Sequence, residues 1–163
     1  FVANRMSDDV TVIDPNTRSV VTTIAVGYNP VGAWPGADNV MYVDNEQEGT
    51  ISAIDVASLA VVQTIDLGFM PGMAALAPAG DELWVTDAEH GAITFWSLAT
   101  GMITGAVPTG AGAHGIAFAP DGQTAFVTDQ QANSLSVIDV ATRTITATLT
   151  MDGEPNGLVF RPE

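Results

Sequence analysis

Apolar residues along this chain come in short runs that alternate with polar ones and stop at turn residues. In Val10-Thr11-Val12-Ile13, Val10 and Val12 face one way while Thr11 and Ile13 face the other, the period of two that a strand imposes. An apolar run over 115–119 ends at Pro120-Asp121-Gly122 and a second follows over 124–128. Two more lie at 135–138 and 144–150. The Pro-Asp-Gly and Asp-x-x-Thr elements between such runs are turn chemistry: Pro presets φ, Gly accepts positive φ, and Asp accepts hydrogen bonds from the nearby backbone. No stretch carries a helical period. The pattern predicts an all-β chain of short strands, four to a unit.

The unit repeats. An aromatic-Val pair recurs as Phe1-Val2, Tyr42-Val43, Trp84-Val85 and Phe126-Val127, with steps of 41, 42 and 42 residues between the valines. Val12-Ile13-Asp14, Ala53-Ile54-Asp55, Phe95-Trp96-Ser97 and Val137-Ile138-Asp139 keep the same register. So do Gly27, Gly68, Gly110 and Asp152, and then Pro30, Pro71, Ala113 and Pro155. These landmarks divide residues 1–163 into four repeats, about 1–41, 42–83, 84–125 and 126–163. Four strands per unit at a period near 40 residues mark the blades of a single β-propeller domain. In that reading Val2, Val43, Val85 and Val127 are buried at equivalent blade positions.

Phe1-Val-Ala-Asn4, Tyr42-Val-Asp-Asn45, Trp84-Val-Thr-Asp87 and Phe126-Val-Thr-Asp129 resemble the Tyr-Val-Thr-Asn repeat family of β-propellers. The trailing Val-Ile-Asp, Val-Gly-x-x-Pro and Ser/Ala-Pro-Asp-Gly elements do too, so the resemblance covers essentially the whole chain. The third repeat departs most, with Ser97 in place of Asp and Ala113 in place of Pro. The resemblance implies four-stranded antiparallel blades and a location outside the cytoplasm (secreted, periplasmic or cell-surface). For function it implies a range: surface-layer proteins, periplasmic binding modules, and relatives of lactonases and lyases.

Blade strands are labelled A to D from the central axis outward. The family pattern makes the segment after the Pro landmark strand A and the aromatic-Val segment strand B. The chain then opens on a strand B and closes on a strand A, at 156–160. Unpaired edges are a liability, so the 156–160 strand is expected to pair with the strand at 1–4. Between two copies this gives an eight-bladed ring, a homodimer; within one chain it gives a four-bladed monomer. Family rings have seven or eight blades, which favours the dimer. The chain opens on a repeat motif without an initiator Met, so a processed product or a fragment of a longer propeller stays open.

Composition narrows the partners. The chain is 47% hydrophobic and 14% charged, which excludes disorder, and with no cysteine it has neither disulfides nor thiolate metal sites. No apolar stretch is long enough for membrane insertion, and no targeting segment is evident. Nineteen acids face four arginines, Arg5, Arg18, Arg143 and Arg161, for a net charge of −15. Such a chain repels a phosphate backbone, which excludes nucleic acid as a partner. A small neutral or cationic ligand, or a protein partner, fits that charge.

The D–A and B–C loops share one face of such a blade, and candidate chemistry collects there. The D–A loops bring Val31, Gly72, His114 and Asn156; the B–C loops bring Asn4, Arg5, Glu46, Glu48, Asp87, Glu89, His90, Asp129 and Gln130. His114, in Ala-Gly-Ala-His-Gly-Ile, resembles the Pro-His-Gly-Ile element of streptogramin-lyase-like propellers, where a channel histidine takes part in chemistry. As a metal ligand or general base it would make the protein an enzyme; as a channel-lining polar residue it would not. Asp87 and Asp129 replace the Asn of the family motif, either as oxygen ligands for a hard cation or as caps of the B–C turn. Asp14, Asp55 and Asp139 read as turn residues on the opposite face. Arg5 is the one fixed cation on the loop face, too few for a polyanionic cofactor. No cofactor is therefore implied, and a divalent cation is the one group for which His114, Asp87 and Asp129 offer ligands. Trp84 and Trp96 read as core. The reading is a non-enzymatic binding or protein-interaction module whose ligand-binding candidates are His114, Asn156, Arg5, Glu46, Glu89 and His90. A lactonase- or lyase-like enzyme using His114 is the competing class.

Overall fold

The computed structural model describes residues 1–160, so Arg161 lies outside the described residues. It contains fifteen strands and, among the described residues, no helix. Each sheet is antiparallel and runs in chain order. The first holds β1 (Val2–Asn4), β2 (Asp9–Asp14) and β3 (Ser19–Ala25). The second holds β4 (Pro30–Pro35), β5 (Val40–Asn45), β6 (Thr50–Asp55) and β7 (Ala60–Asp66). The third holds β8 (Pro71–Leu76), β9 (Glu82–Asp87), β10 (Ala92–Ser97) and β11 (Met102–Pro108). The fourth holds β12 (Ala113–Phe118), β13 (Thr124–Asp129), β14 (Ser134–Asp139) and β15 (Thr144–Thr150). The fold is thus the expected all-β run of four blades, the first with three strands. By its contacts the chain divides into two compact units, Phe1–Pro71 and Gly72–Glu163.

Turn chemistry explains why the repeat survives variation in its letters. The C–D hairpin needs one left-handed residue, met by Arg18, Leu59, Gly101 and Arg143 at φ of 55°, 53°, 65° and 55°. The B–C hairpin meets the same need with Asp8, Gly49, Gly91 and Asn133. Each C–D pair also shifts register at one place, between Val12/Ile13, Ala53/Ile54, Phe95/Trp96 and Val137/Ile138. Such a bulge bends the strand and sharpens its twist.

The turn role expected of Asp14, Asp55 and Asp139 is what the structure shows. Asp14 accepts the backbone N–H of Asn16 at 2.7 Å; Asp55 and Asp139 accept the N–H and hydroxyl of Ser58 and Thr142, all at 2.6–2.7 Å. These bonds hold all three carboxyls below the ordinary Asp range, through backbone N–H groups first at Asp14 and the hydroxyl first at Asp55 and Asp139. A depressed carboxyl contributes stability above its unfolded pKa and loses it as pH falls through the lower folded value. Asp55→Ala should therefore lower the unfolding midpoint at pH 6, with the gap to the wild type closing below about pH 4. Denaturant titrations at pH 6, 4 and 3 check this.

Each unit has its own core. In Phe1–Pro71 it is Val10, Val12, Ile24, Val43 and Ile54. In the second unit Trp84, Ile93, Phe95, Ile116, Val127 and Ile138 cluster with small alanines. Trp84 lies 4.6 Å from Phe95 and 5.2 Å from Phe118 between ring centroids. Trp84 and Trp96 are core, as expected. One expectation fails: Val43, Val85 and Val127 are each 0% exposed, but Val2 is 47% exposed. In its sheet β1 pairs with β2 alone, without the innermost strand that flanks β5, β9 and β13 in theirs. The expected strand at 156–160 is likewise absent, and that segment belongs to no sheet. A lone extended segment has no ladder to join.

Candidate functional site

The Asx residue closing each strand B is a local crosslink. Asn4 donates to Asp9 Oδ1 at 2.6 Å and Thr11 Oγ1 at 2.7 Å; Asn45 donates to Thr50 at 3.0 Å and Ser52 at 2.9 Å. Asp129 accepts from Ser134 and Ser136 at 3.3 and 2.6 Å. Because hydroxyls both give and accept, Asn and Asp interchange at these positions. The bonds run to side chains five and seven residues on, rather than to the backbone N–H of a cap as expected. Asp129 is 0% exposed, locked into its own sheet and not presented as a cation ligand.

Asp87 differs because Ala92 stands where the other repeats place a hydroxyl or carboxylate. Its carboxylate turns instead to His90, accepting the backbone N–H at 3.0 Å and meeting ring Nδ1 at 2.8 Å. This is the turn cap expected of an Asx residue. A carboxylate can only accept, so the shared proton sits on Nδ1 and a neutral His90 keeps Nε2 as an acceptor. The Asp87 side chain is buried whereas that of His90 is 66% exposed. His90 and Glu89 line an open cleft of about 330 Å³ with Thr109, Ala111 and Gln131. Of these, Thr109, Ala111 and Gln131 were not singled out from the sequence. The signal was present in their positions, since 109–112 is a D–A loop and 131 follows Gln130 of a B–C loop.

The remaining candidates lie elsewhere on the loops. Arg5, in the first unit, is not a free cation: Nη2 meets Glu46 Oε2 at 2.7 Å and Nε donates to Asn29 Oδ1 at 2.5 Å. Glu48 accepts the backbone N–H of Tyr28 at 3.1 Å. His114, second residue of β12, is half-buried, and its ring makes no hydrogen bond with the described residues. Its backbone carbonyl accepts from Thr86 Oγ1 at 2.7 Å. Asn156 has the same relation to the next repeat, its carbonyl accepting from Thr128 Oγ1 at 2.6 Å. His114 and Asn156 thus hold equivalent main-chain positions, as the repeat predicts. Among the described residues no three His, Asp or Glu side chains gather in a group that could hold a metal, so His114, Asp87 and Asp129 do not form one site.

No protein-family model matches the chain. Over 85 residues, 52% of its length, it is 28% identical to "Uncharacterized protein YncE" of Salmonella typhi, matching 24% of that protein. The protein of the same name from Salmonella typhimurium matches to the same extent. The chain thus matches about a quarter of the length of these curated relatives. Among solved structures, "Kuenenia stuttgartiensis Hydrazine Synthase" aligns over 91% of the chain and 45% of its own, with a TM-score of 0.84 and 21% identity. "Crystal Structure of Mitotic Checkpoint Complex" aligns over 96% and 49%, with a TM-score of 0.80 and 14% identity. Identities this low show the fold alone, and that fold is the β-propeller of four-stranded antiparallel blades.

Proposed function

We propose that this chain is a non-enzymatic binding or interaction module that takes cationic or neutral, donor-rich groups at its B–C and D–A loops. The observation that carries this reading is the cleft beside His90. Asp87 holds Nδ1 and leaves Nε2 as an acceptor, and the same cleft carries the Glu89 carboxylate. Acceptors without a fixed cation favour guanidinium, ammonium or hydroxyl groups over anions. The cleft is open, which suits a side chain of a larger partner better than an enclosed small molecule. Membership of the Tyr-Val-Thr-Asn repeat family, and with it a place outside the cytoplasm, belongs to the same proposal. It rests on the repeat motif.

A fluorescent arginine-rich peptide tests the site. Glu89→Gln and His90→Ala should each weaken its binding about 2- to 5-fold, the effect expected of one exposed polar contact. Asp38→Asn removes the same charge elsewhere and should leave binding unchanged, as should His114→Ala. Equal losses in Glu89→Gln and Asp38→Asn would mean that only the net charge attracts the peptide. A loss confined to His114→Ala would move the site away from this cleft.

A further inference from the structure

Three positions after the Asx residue of each strand B stand Ser7, Glu48, His90 and Ala132. Residues this different serve one hairpin, so the turn itself does not require a carboxylate at 48. Glu48 folds back over the loop between the first two sheets. Its Oε2 accepts the Tyr28 backbone N–H at 3.1 Å and the Thr50 hydroxyl at 3.5 Å. Gly27 makes room for it: a Cβ there would collide with Glu48 Oε2 and stand 2.7 Å from Asn45 Cγ. Beside this contact, inside the first unit, lies a second cleft of about 200 Å³, lined by Val26, Gly27, Glu48, Ser52, Val61 and Thr64. Ser52 is buried, whereas Glu48 and Thr64 are exposed, so the polar groups stand at different depths between apolar walls.

The hydrogen bonds around this cleft do not balance. Asn45 uses both Nδ2 hydrogens, on Thr50 Oγ1 at 3.0 Å and Ser52 Oγ at 2.9 Å, and Thr50 gives its own proton to Glu48. Asn45 Oδ1 is left buried without a partner among the described residues, in a side chain that is 0% exposed. It belongs to the amide that lies against both Gly27 and Ser52, two residues of the cleft. Acceptors exceed donors here, and one of them is a carboxylate, so what completes the site supplies donors and positive charge. We infer that this cleft receives the ammonium group of a lysine side chain from a partner protein. Three donors arranged around one nitrogen reach acceptors at different depths, which the flat fork of a guanidinium does not. Val26 and Val61 offer the methylene stem apolar walls. With nineteen acids against four arginines, the chain has no lysine of its own, and its charge draws a cationic partner.

Amide NMR during titration with Nα-acetyl-lysine methylamide tests this. The Tyr28 amide, bonded to Glu48, should shift on binding, and the norleucine counterpart, with the same stem and no charge, should leave it unmoved. Glu48→Gln and Ser52→Ala should each weaken binding about 2- to 5-fold, the effect of one polar contact near the surface. Gly27 does not adopt a left-handed backbone, so Gly27→Ala is open to test, with circular dichroism confirming intact sheets. Its added methyl should remove the response. This cleft is separate from the one beside His90. Glu89→Gln should therefore leave the lysine titration unchanged, and Glu48→Gln should leave the arginine-rich peptide bound as before. A Tyr28 amide that stays put at saturating lysine analogue overturns the inference. Equal weakening in Glu48→Gln and Glu89→Gln does so too, since net charge alone would then attract the probe. An arginine analogue that moves the same amide at lower concentration would overturn the choice of ammonium.

Discussion

Replacing Trp84 with alanine should lower stability by about 3–5 kcal/mol, the loss typical of truncating a large buried aromatic. In a domain of this size that is a fall of roughly 10–15 °C in melting temperature. Trp84 is 1% exposed and packs on both Phe95 and Phe118. It joins strands β9, β10 and β12, so the cavity would open between two sheets of the same unit. Hydrogen exchange should show the loss of protection concentrated after residue 71, because the first unit has its own core. Trp84→Phe should cost much less. The indole Nε1 is buried without a hydrogen-bond partner among the described residues, so phenylalanine removes an unpaired donor along with part of the volume. Phenylalanine already serves at the equivalent Phe1 and Phe126. An alanine variant as stable as the wild type would mean that the second core does not depend on this residue.

Trp84 also shows why the fold was legible from sequence. Its position is fixed by a period, and a period is a one-dimensional property that needs no knowledge of contacts. The strands, the landmark valines and the turn carboxylates Asp14, Asp55 and Asp139 all follow from spacing and local chemistry. Exposure at Val2 does not, because it depends on a strand that the first sheet lacks. Arg143 is a second case: it shares a turn position with Arg18, yet its guanidinium grips Glu82 at 2.8 and 3.0 Å and lies 4.5 Å over Phe95. Glu82 is 61 residues away, so no local pattern could pair them.

The candidate site was less legible for a related reason. Loop positions differ from repeat to repeat, so register says where a residue stands but not what it does there. Asp87 and Asp129 look alike in Val-Thr-Asp, yet one orients a histidine and the other is sealed beneath two serines. The difference lies in Ala92 and Ser134, five residues on, where a hydroxyl is missing in one repeat and present in the other. Arg5 looked like a lone cation because its partner Glu46 sits in the next repeat.

The threonines of the same motif give the second large effect. Thr86 Oγ1 accepts the Met73 N–H at 2.7 Å and donates to the His114 carbonyl at 2.7 Å, tying β8 to β12 through one buried hydroxyl. Valine matches threonine in shape but supplies neither bond. Thr86→Val should strand a buried donor and a carbonyl together and cost about 2–4 kcal/mol. Thr86→Ser keeps both bonds and should cost about 1 kcal/mol, the value of the lost methyl. Thr128→Val offers an internal comparison. Its hydroxyl accepts from Gly115 N–H at 2.8 Å and donates to Asn156, whose segment is largely exposed. In a single copy water can reach that carbonyl, so the Thr128→Val loss should be smaller than that of Thr86→Val. Denaturant unfolding of the three variants, with exchange of the Met73 and Gly115 amides, separates the effects. Equal stability of Thr86→Val and wild type would show that the bridge between β8 and β12 is not held by this hydroxyl.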